Sequence, residues 1–384
     1  MRTRRNPVPA ALLFLLANCG AGAPHVEAPQ AAAGDSGADA GTLPAHTGPT
    51  SPADAGPPGP GEEDAGTVDA GAGVDAGTAD AGFADAGTQT LAERCFPHMR
   101  TLAAPAPDYG PTGLDAGTHC LGTNHQDIAG IQQVVFVGDS VTAGVPNAGL
   151  NLVQWGFPVG AGTPSSSFYR NQVADALAAK FGLAPPNLLW REVNPSTQKA
   201  ALQSSGAFHV CAKWGSRMGD VLGQLQACLP QSLRSKKTLI VMTAGGNDLS
   251  NMTSAALNGA TRAQLEQRAA GVVAELEAVL AWVKAPGRFP AGVALVFGNV
   301  YEYTDGTNQL SACPGAQAIN MSGPLPDPAG LSDVVFRMQE SFARAAVQHG
   351  VDITWMYEQF CGHGWRSDSP TAPCYRGPGA ARFF

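Results

Sequence analysis

Three short stretches carry residue types suited to one kind of chemistry: attack by an activated hydroxyl on an acyl group. In Gly138-Asp139-Ser140 a serine stands two residues after a glycine. A hydroxyl so placed becomes a nucleophile when a nearby base takes its proton. Gly245-Gly246-Asn247-Asp248 combines two glycines, which let the backbone approach a ligand closely, with an amide that has two N–H donors. Between them runs Trp214-Gly215-Ser216-Arg217-Met218-Gly219-Asp220, where the bare N–H of Gly215 can supply a further donor. Donors fixed in advance around one point make an oxyanion hole, which stabilises the charge of a tetrahedral intermediate. Each stretch taken alone also reads as ordinary turn chemistry, a Gly-Asp-Ser turn or a helix cap.

Such chemistry needs the three turns in one place, and the surrounding hydrophobic pattern predicts how they meet. Apolar runs at Val134–Val137, Leu188–Trp190, Thr238–Met242, Val293–Phe297 and Val351–Met356 read as buried strands. Helical patterns fall at Phe168–Phe181, Asp220–Cys228, Arg262–Lys284 and Leu331–His349. The third is the clearest, with Leu265, Ala269, Val272, Leu276, Val279 and Val283 along one face. Strands alternating with helices imply parallel pairing through right-handed crossovers. The predicted fold is α/β, a three-layer α/β/α sandwich around a central five-stranded parallel sheet. Sites in such sheets form beyond the carboxyl ends of the strands, where Ser140, Gly215 and Asn247 all fall.

These blocks, in this order, resemble the SGNH (GDSL-like) hydrolase family. Its first block is Gly-Asp-Ser, matched by Gly138-Asp139-Ser140. Its second centres on a glycine, matched at Gly215 with Asp220-Val221-Leu222 after it, and its third is Gly-x-Asn-Asp, matched by Gly245 to Asp248. Val141 stands where many members have Leu. The resemblance covers the chain from about residue 130 onward. It implies a flavodoxin-like SGNH fold, Ser140 as nucleophile and as oxyanion donor through its own N–H, and Gly215 N–H and the Asn247 amide as the other donors. It also implies hydrolysis of esters (acyl lipids, acylated sugars or small acyl esters) without a cofactor. A domain of the same fold that binds envelope glycans or lipids without turnover is the alternative.

The family's closing block, Asp-x-x-His, has no match near the end of the sequence. The base is expected either at His363, the only histidine after the last predicted strand, or in a segment beyond Phe384; the second is favoured. His98, His119, His125, His209 and His349 read as packing, capping or helix-end residues. Trp155, Phe157, Phe168, Tyr301 and Tyr303 fall near loops, and core packing is their expected role. No His-Glu-x-x-His or Cys-x-x-Cys spacing suggests a metal.

The first ninety residues cannot build a core. Residues 1–19 read as an export signal: Arg2, Arg4 and Arg5, then a short apolar run from Ala10 to Ala17, too short to span a bilayer. Leu16-Ala17-Asn18-Cys19 resembles a bacterial lipobox, which implies a lipidated Cys19 and an envelope location. Cleavage after Ala21-Gly22-Ala23 and free secretion are the alternative. Residues 20–90 repeat Asp-Ala-Gly and read as a disordered tether, since side chains so small bury too little to offset chain entropy. The segment 30–88 carries ten acids and no Lys or Arg, so it more than accounts for the net charge of −8. Residues 91–384 therefore form a near-neutral hydrolase domain, expected to act as a monomer on an ester and with no basic patch for nucleic acid. Export favours disulfides, with Cys95–Cys120, Cys211–Cys228 and Cys361–Cys374 as pairs near in sequence.

Overall fold

The computed structural model describes residues 90–101, 106–116, 120–144, 168–194, 197–301, 304–312 and 323–380. The expected signal (1–19) and tether (20–90, apart from Thr90) lie outside these, as do His119, Trp155, Phe157, Tyr303 and Cys313. In chain order the elements are α1 (Leu91–Cys95), β1 (Gln133–Gly138), α2 (Ser140–Ala143), α3 (Tyr169–Phe181) and α4 (Leu188–Arg191). Next come the short strands β2 (Val193–Asn194), β3 (Lys199–Ala200), β4 (Ser204–Ser205) and β5 (Phe208–Val210), then α5 (Met218–Cys228) and β6 (Thr238–Thr243). The chain continues through α6 (Gly246–Leu257), α7 (Arg262–Lys284), β7 (Val293–Gly298), α8 (Pro328–His349), β8 (Asp352–Thr354) and α9 (Met356–Phe360).

The central sheet has six strands in the order β4-β5-β1-β6-β7-β8. Five are parallel, as expected, and β4 adds an antiparallel edge on β5. One strand sits elsewhere than the sequence suggested. Leu188–Trp190 is not a strand but most of the short helix α4, and Phe208–Val210 takes its place beside β1. A short apolar run does not distinguish strand from helix by periodicity. Here the Asn187 side chain decides by accepting the Trp190 N–H and capping a helical turn. Leu188 and Leu189 then stay exposed, and only Trp190 is buried, edge-on to Phe136 and Phe208.

Side chains alternate across β1, so the two faces bury different partners. Val135 and Val137, with Ile240, Met242, Leu295 and Phe297, pack against α5, α6, α7 and α8. Val134 and Phe136, with Phe208, Val210 and Leu239, pack against Ala174 and Ala178 of α3 and against Trp190. The result is the three-layer α/β/α arrangement. The α7 stripe is as read from the sequence: Leu265, Ala269, Val272, Leu276, Val279 and Val283 are buried. Among the described residues no helix is long and apolar enough to cross a membrane.

The three expected disulfides are present. Cys211–Cys228 joins the residue after β5 to the end of α5. Cys361–Cys374 closes the loop after α9, and Cys95–Cys120 ties α1 to the chain ahead of β1. The core rests on full burial of the α7 stripe. Leu276→Ala should therefore lower stability by about 2–5 kcal/mol, read as a lower urea midpoint at unchanged slope. A shift below the effect of an exposed substitution would contradict this packing.

Candidate functional site

Pairing between β1 and β6 ends at Gly138 opposite Thr243, and the Asp139 N–H still reaches the Thr243 carbonyl at 3.0 Å. Gly138 has φ 125°, and a Cβ there would lie 1.7 Å from the Thr243 oxygen, so only glycine fits this crossing. The chain then turns into α2. Asp139 caps that helix by accepting the Val141 N–H at 3.0 Å, and Ser140 is its first residue. N–H groups in a helix's first turn have no acceptor within the helix. Ser140 is 4 % exposed and, among the described residues, its Oγ has no hydrogen-bond partner.

The second turn is held to the first chiefly by one side chain, Gln224. Gln224 of α5 accepts the Gly138 N–H at 2.7 Å and donates to the Gly138 carbonyl at 3.0 Å and to Ser216 Oγ at 2.9 Å. The Lys213 N–H also donates to the Gly138 carbonyl, and Trp214 Nε1 donates to the Gly144 carbonyl. Gly215, at φ 74°, turns the chain between them. The third turn joins through Asn247, whose amide donates to the Ser216 carbonyl at 2.8 Å, and through Asp248, which accepts the Met218 N–H at 2.9 Å. Gly245, at φ 105°, leaves no room for a Cβ beside Val300. Hydrogen bonds thus draw the segments bearing Ser140, Gly215 and Asn247 together at one rim of the sheet.

His363 lies on the loop after α9, and its imidazole is not hydrogen-bonded to Ser140 Oγ. That loop is built around a carboxylate. Asp305, fully buried, accepts the N–H groups of Gly362 (2.8 Å), Gly364 (2.7 Å) and Arg366 (2.6 Å). Burial raises the Asp305 pKa, while these bonds and the charge of His363 oppose the rise. His98 is held at about 4, by burial first and then by Arg376, which bonds its Nε2. His209 is a buried contact to Ser204 Oγ, and Phe168 and Tyr301 are buried.

Gln224, Thr243 and Thr142 were not singled out by sequence reasoning. The signal for Gln224 was an amide beside the inward stripe of α5, formed by Met218, Val221, Leu225 and Cys228. Thr243 ends its strand and bonds both Thr142 Oγ1 (2.6 Å) and Asp139 Oδ1 (3.2 Å). A 340 Å³ cavity between α5, α6 and α7 is lined by Arg217, Asp248 and Glu275 among others, but not by Ser140, Gly215 or Asn247. Among the described residues no cluster of three or more His, Cys, Asp or Glu could hold a metal ion.

Residues 134–311 match the family model described as GDSL-like Lipase/Acylhydrolase. No curated protein matches the chain.

Two carboxyls in this network have raised pKa values. Burial pushes Asp139 from 3.8 to about 7, against its bonds to Val141 and Thr243 and with help from Asp248. Burial, with Glu275 adding to it, pushes Asp248 to about 6. A folded-state pKa above the unfolded one means that the native state binds more protons, so these groups make stability fall as pH rises from about 4 to about 7. Asp139→Asn, which keeps a capping side chain, should flatten the decline of melting temperature across that window. An unchanged slope would refute the account. Gln224→Leu strands the Gly138 N–H and should cost about 1–3 kcal/mol, measured by denaturant unfolding.

Proposed function

We propose that the chain is a serine ester hydrolase acting on carboxylic esters through Ser140, a reading supported by the match of residues 134–311 to the GDSL-like Lipase/Acylhydrolase family model. The observation that carries this reading is that hydrogen bonds tie three remote turns together at one rim of the sheet, and that one of these turns bears a buried serine hydroxyl with no hydrogen-bond partner among the described residues. A buried hydroxyl without a partner is costly in an ordinary core. It is what a nucleophile held ready for a substrate and a base requires.

In the proposed cycle, Ser140 Oγ attacks the ester carbonyl carbon and its proton passes to a general base. The carbonyl oxygen takes the negative charge. The N–H groups of Ser140 and Gly215 and the Asn247 amide stabilise it. Asn247 commits one N–H to Ser216, which fixes the amide plane and leaves the second for the oxyanion. Collapse of the adduct expels the alcohol, which takes the proton from the base. Water then enters by the same route and releases the acid. No cofactor takes part.

Of the two candidates for the base, His363 is the one within the described residues, on the loop that follows the last parallel strand, and the proposal takes it as the base. The Asp305 carboxylate that organises this loop is close enough to interact with the His363 charge, so it would stabilise the imidazolium formed during attack. A second reading rests on the absence of any hydrogen bond from Ser140 Oγ to an imidazole: the same fold binds an envelope glycan or lipid ester without turning it over.

The proposal extends to location. Three disulfides suit an oxidising compartment. Together with the basic-apolar start and the lipobox-like Leu16-Ala17-Asn18-Cys19, they support an exported protein tethered to the envelope through a lipidated Cys19 and the Asp-Ala-Gly-rich segment.

Hydrolysis of p-nitrophenyl acetate and butyrate tests the reading. Ser140→Ala should lower kcat/KM by about 10³-fold or more, and His363→Gln by about 10²-fold or more. Equal rates for the native chain and Ser140→Ala would refute the nucleophile. A native rate in His363→Gln would place the base elsewhere. Binding of ester-bearing lipid or glycan without hydrolysis would favour the second reading.

A further inference from the structure

Arg170 is fully buried, yet among the described residues no carboxylate hydrogen-bonds it, and Glu192 acts on it only through its charge. A buried charge without an opposite charge is costly and persists only where many hydrogen bonds satisfy it. Its donors go almost wholly to carbonyl oxygens. Nη1 reaches Ala143 at 2.5 Å and Thr142 at 3.3 Å. Nη2 reaches Arg191 at 2.9 Å and Trp190 at 3.3 Å, and Nε reaches Asn171 Oδ1 at 3.3 Å. The guanidinium also lies 4.7 Å over the Trp190 ring, whose edge packs on Phe136 of β1.

Two of those carbonyls are the last two of α2, the four-residue helix that begins with Ser140. A helix so short has little stability of its own, and its final carbonyls have no partners within it. Its start is fixed by Asp139, and its middle by Thr142, which hydrogen-bonds the Tyr169 hydroxyl and Thr243. The last two carbonyls of the helix are held from α3, by Arg170, while the cap residue after them, Gly144, is held by Trp214 Nε1. The adjacent residues Tyr169 and Arg170 thus grip α2 from one side, and Arg170 locks its end to α4.

We infer that Arg170 is a positioning residue for the nucleophile: by joining the terminal carbonyls of the Ser140 helix to those of α4, it sets the direction and rigidity of the Ser140 side chain. A planar fork that reaches two pairs of carbonyls at once is peculiar to arginine; lysine keeps the charge but reaches fewer acceptors. The inference rests on the reading of Ser140 as nucleophile for its kinetic consequence, but not for the clamp itself.

The experiment therefore has two readouts, taken on the full chain. One is hydrogen exchange of peptides covering Ser140–Gly144. The other is kcat and KM for p-nitrophenyl acetate. Arg170→Gln and Arg170→Lys are compared with Leu276→Ala, a core variant remote from the site, under conditions that leave all three equally folded. We expect faster exchange at 140–144 in both Arg170 variants but not in Leu276→Ala. We also expect kcat to fall about 10- to 100-fold in Arg170→Gln with KM within about twofold, and partial recovery in Arg170→Lys. If Arg170→Gln does not fold, Arg170→Lys alone decides. Exchange at 140–144 no faster than in Leu276→Ala would overturn the clamp. Faster exchange with unchanged kcat, while Ser140→Ala is inactive, would overturn the positioning role and leave the nucleophile standing. Full activity in Ser140→Ala would overturn the reading of the site instead, with the exchange result still deciding the clamp.

Discussion

Everything at this site depends on what happens where the backbone pairing of β1 stops. Up to Gly138 the strand is fixed between β5 and β6 by ladder hydrogen bonds. On the β5 side the ladder ends at Val210, opposite Phe136, so the Gly138 peptide would be left unpaired on that side in a buried place. Gln224 fills that gap by bonding both its N–H and its carbonyl, with Lys213 adding a second donor. An unmade hydrogen bond there would be more costly than any one such bond is stabilising. This explains why a side-chain amide on a helix, rather than another strand, sets the distance between the serine turn and the Gly215 turn.

The same substitution of side chain for ladder recurs around the rim. Asn247 joins the third turn to the second through Ser216, Asp248 joins it to the start of α5, and Thr243 joins β6 to Asp139 and Thr142. These are buried, mutually satisfying polar groups, and such networks hold geometry tightly because each member left alone is penalised. The raised pKa values of Asp139 and Asp248 are the electrostatic cost of placing two carboxyls inside it. Arg170, on the opposite face of the sheet from α5, meets the cost of its own buried charge with backbone carbonyls.

The loop after α9 follows a different rule. It has little regular structure, so one carboxylate and one disulfide organise it: Asp305 gathers three N–H groups and Cys361–Cys374 closes the span. Gly362 permits the close pass, since a Cβ there would meet the Cys374 carbonyl at 2.2 Å. His363 is presented from this frame rather than from a helix or strand.

Much of this was legible in the residues. Periodicity gave the limits of α7 and its buried face, four of the five parallel strands and the α/β class, because burial on a helix or a two-sided strand imposes a pattern that local composition records. The blocks at Ser140, Gly215 and Asn247 were visible because glycines and a polar residue at strand ends are themselves local signals. Leu188–Trp190 and Phe208–Val210 were exchanged because a three-residue run carries too little periodicity, and because His209 interrupts the second with a polar group, which the fold bonds to Ser204. The roles of Gln224, Asp305 and Arg170 were decided by tertiary structure alone. Each acts on residues far away in sequence or through backbone atoms, which every residue shares and no sequence pattern distinguishes.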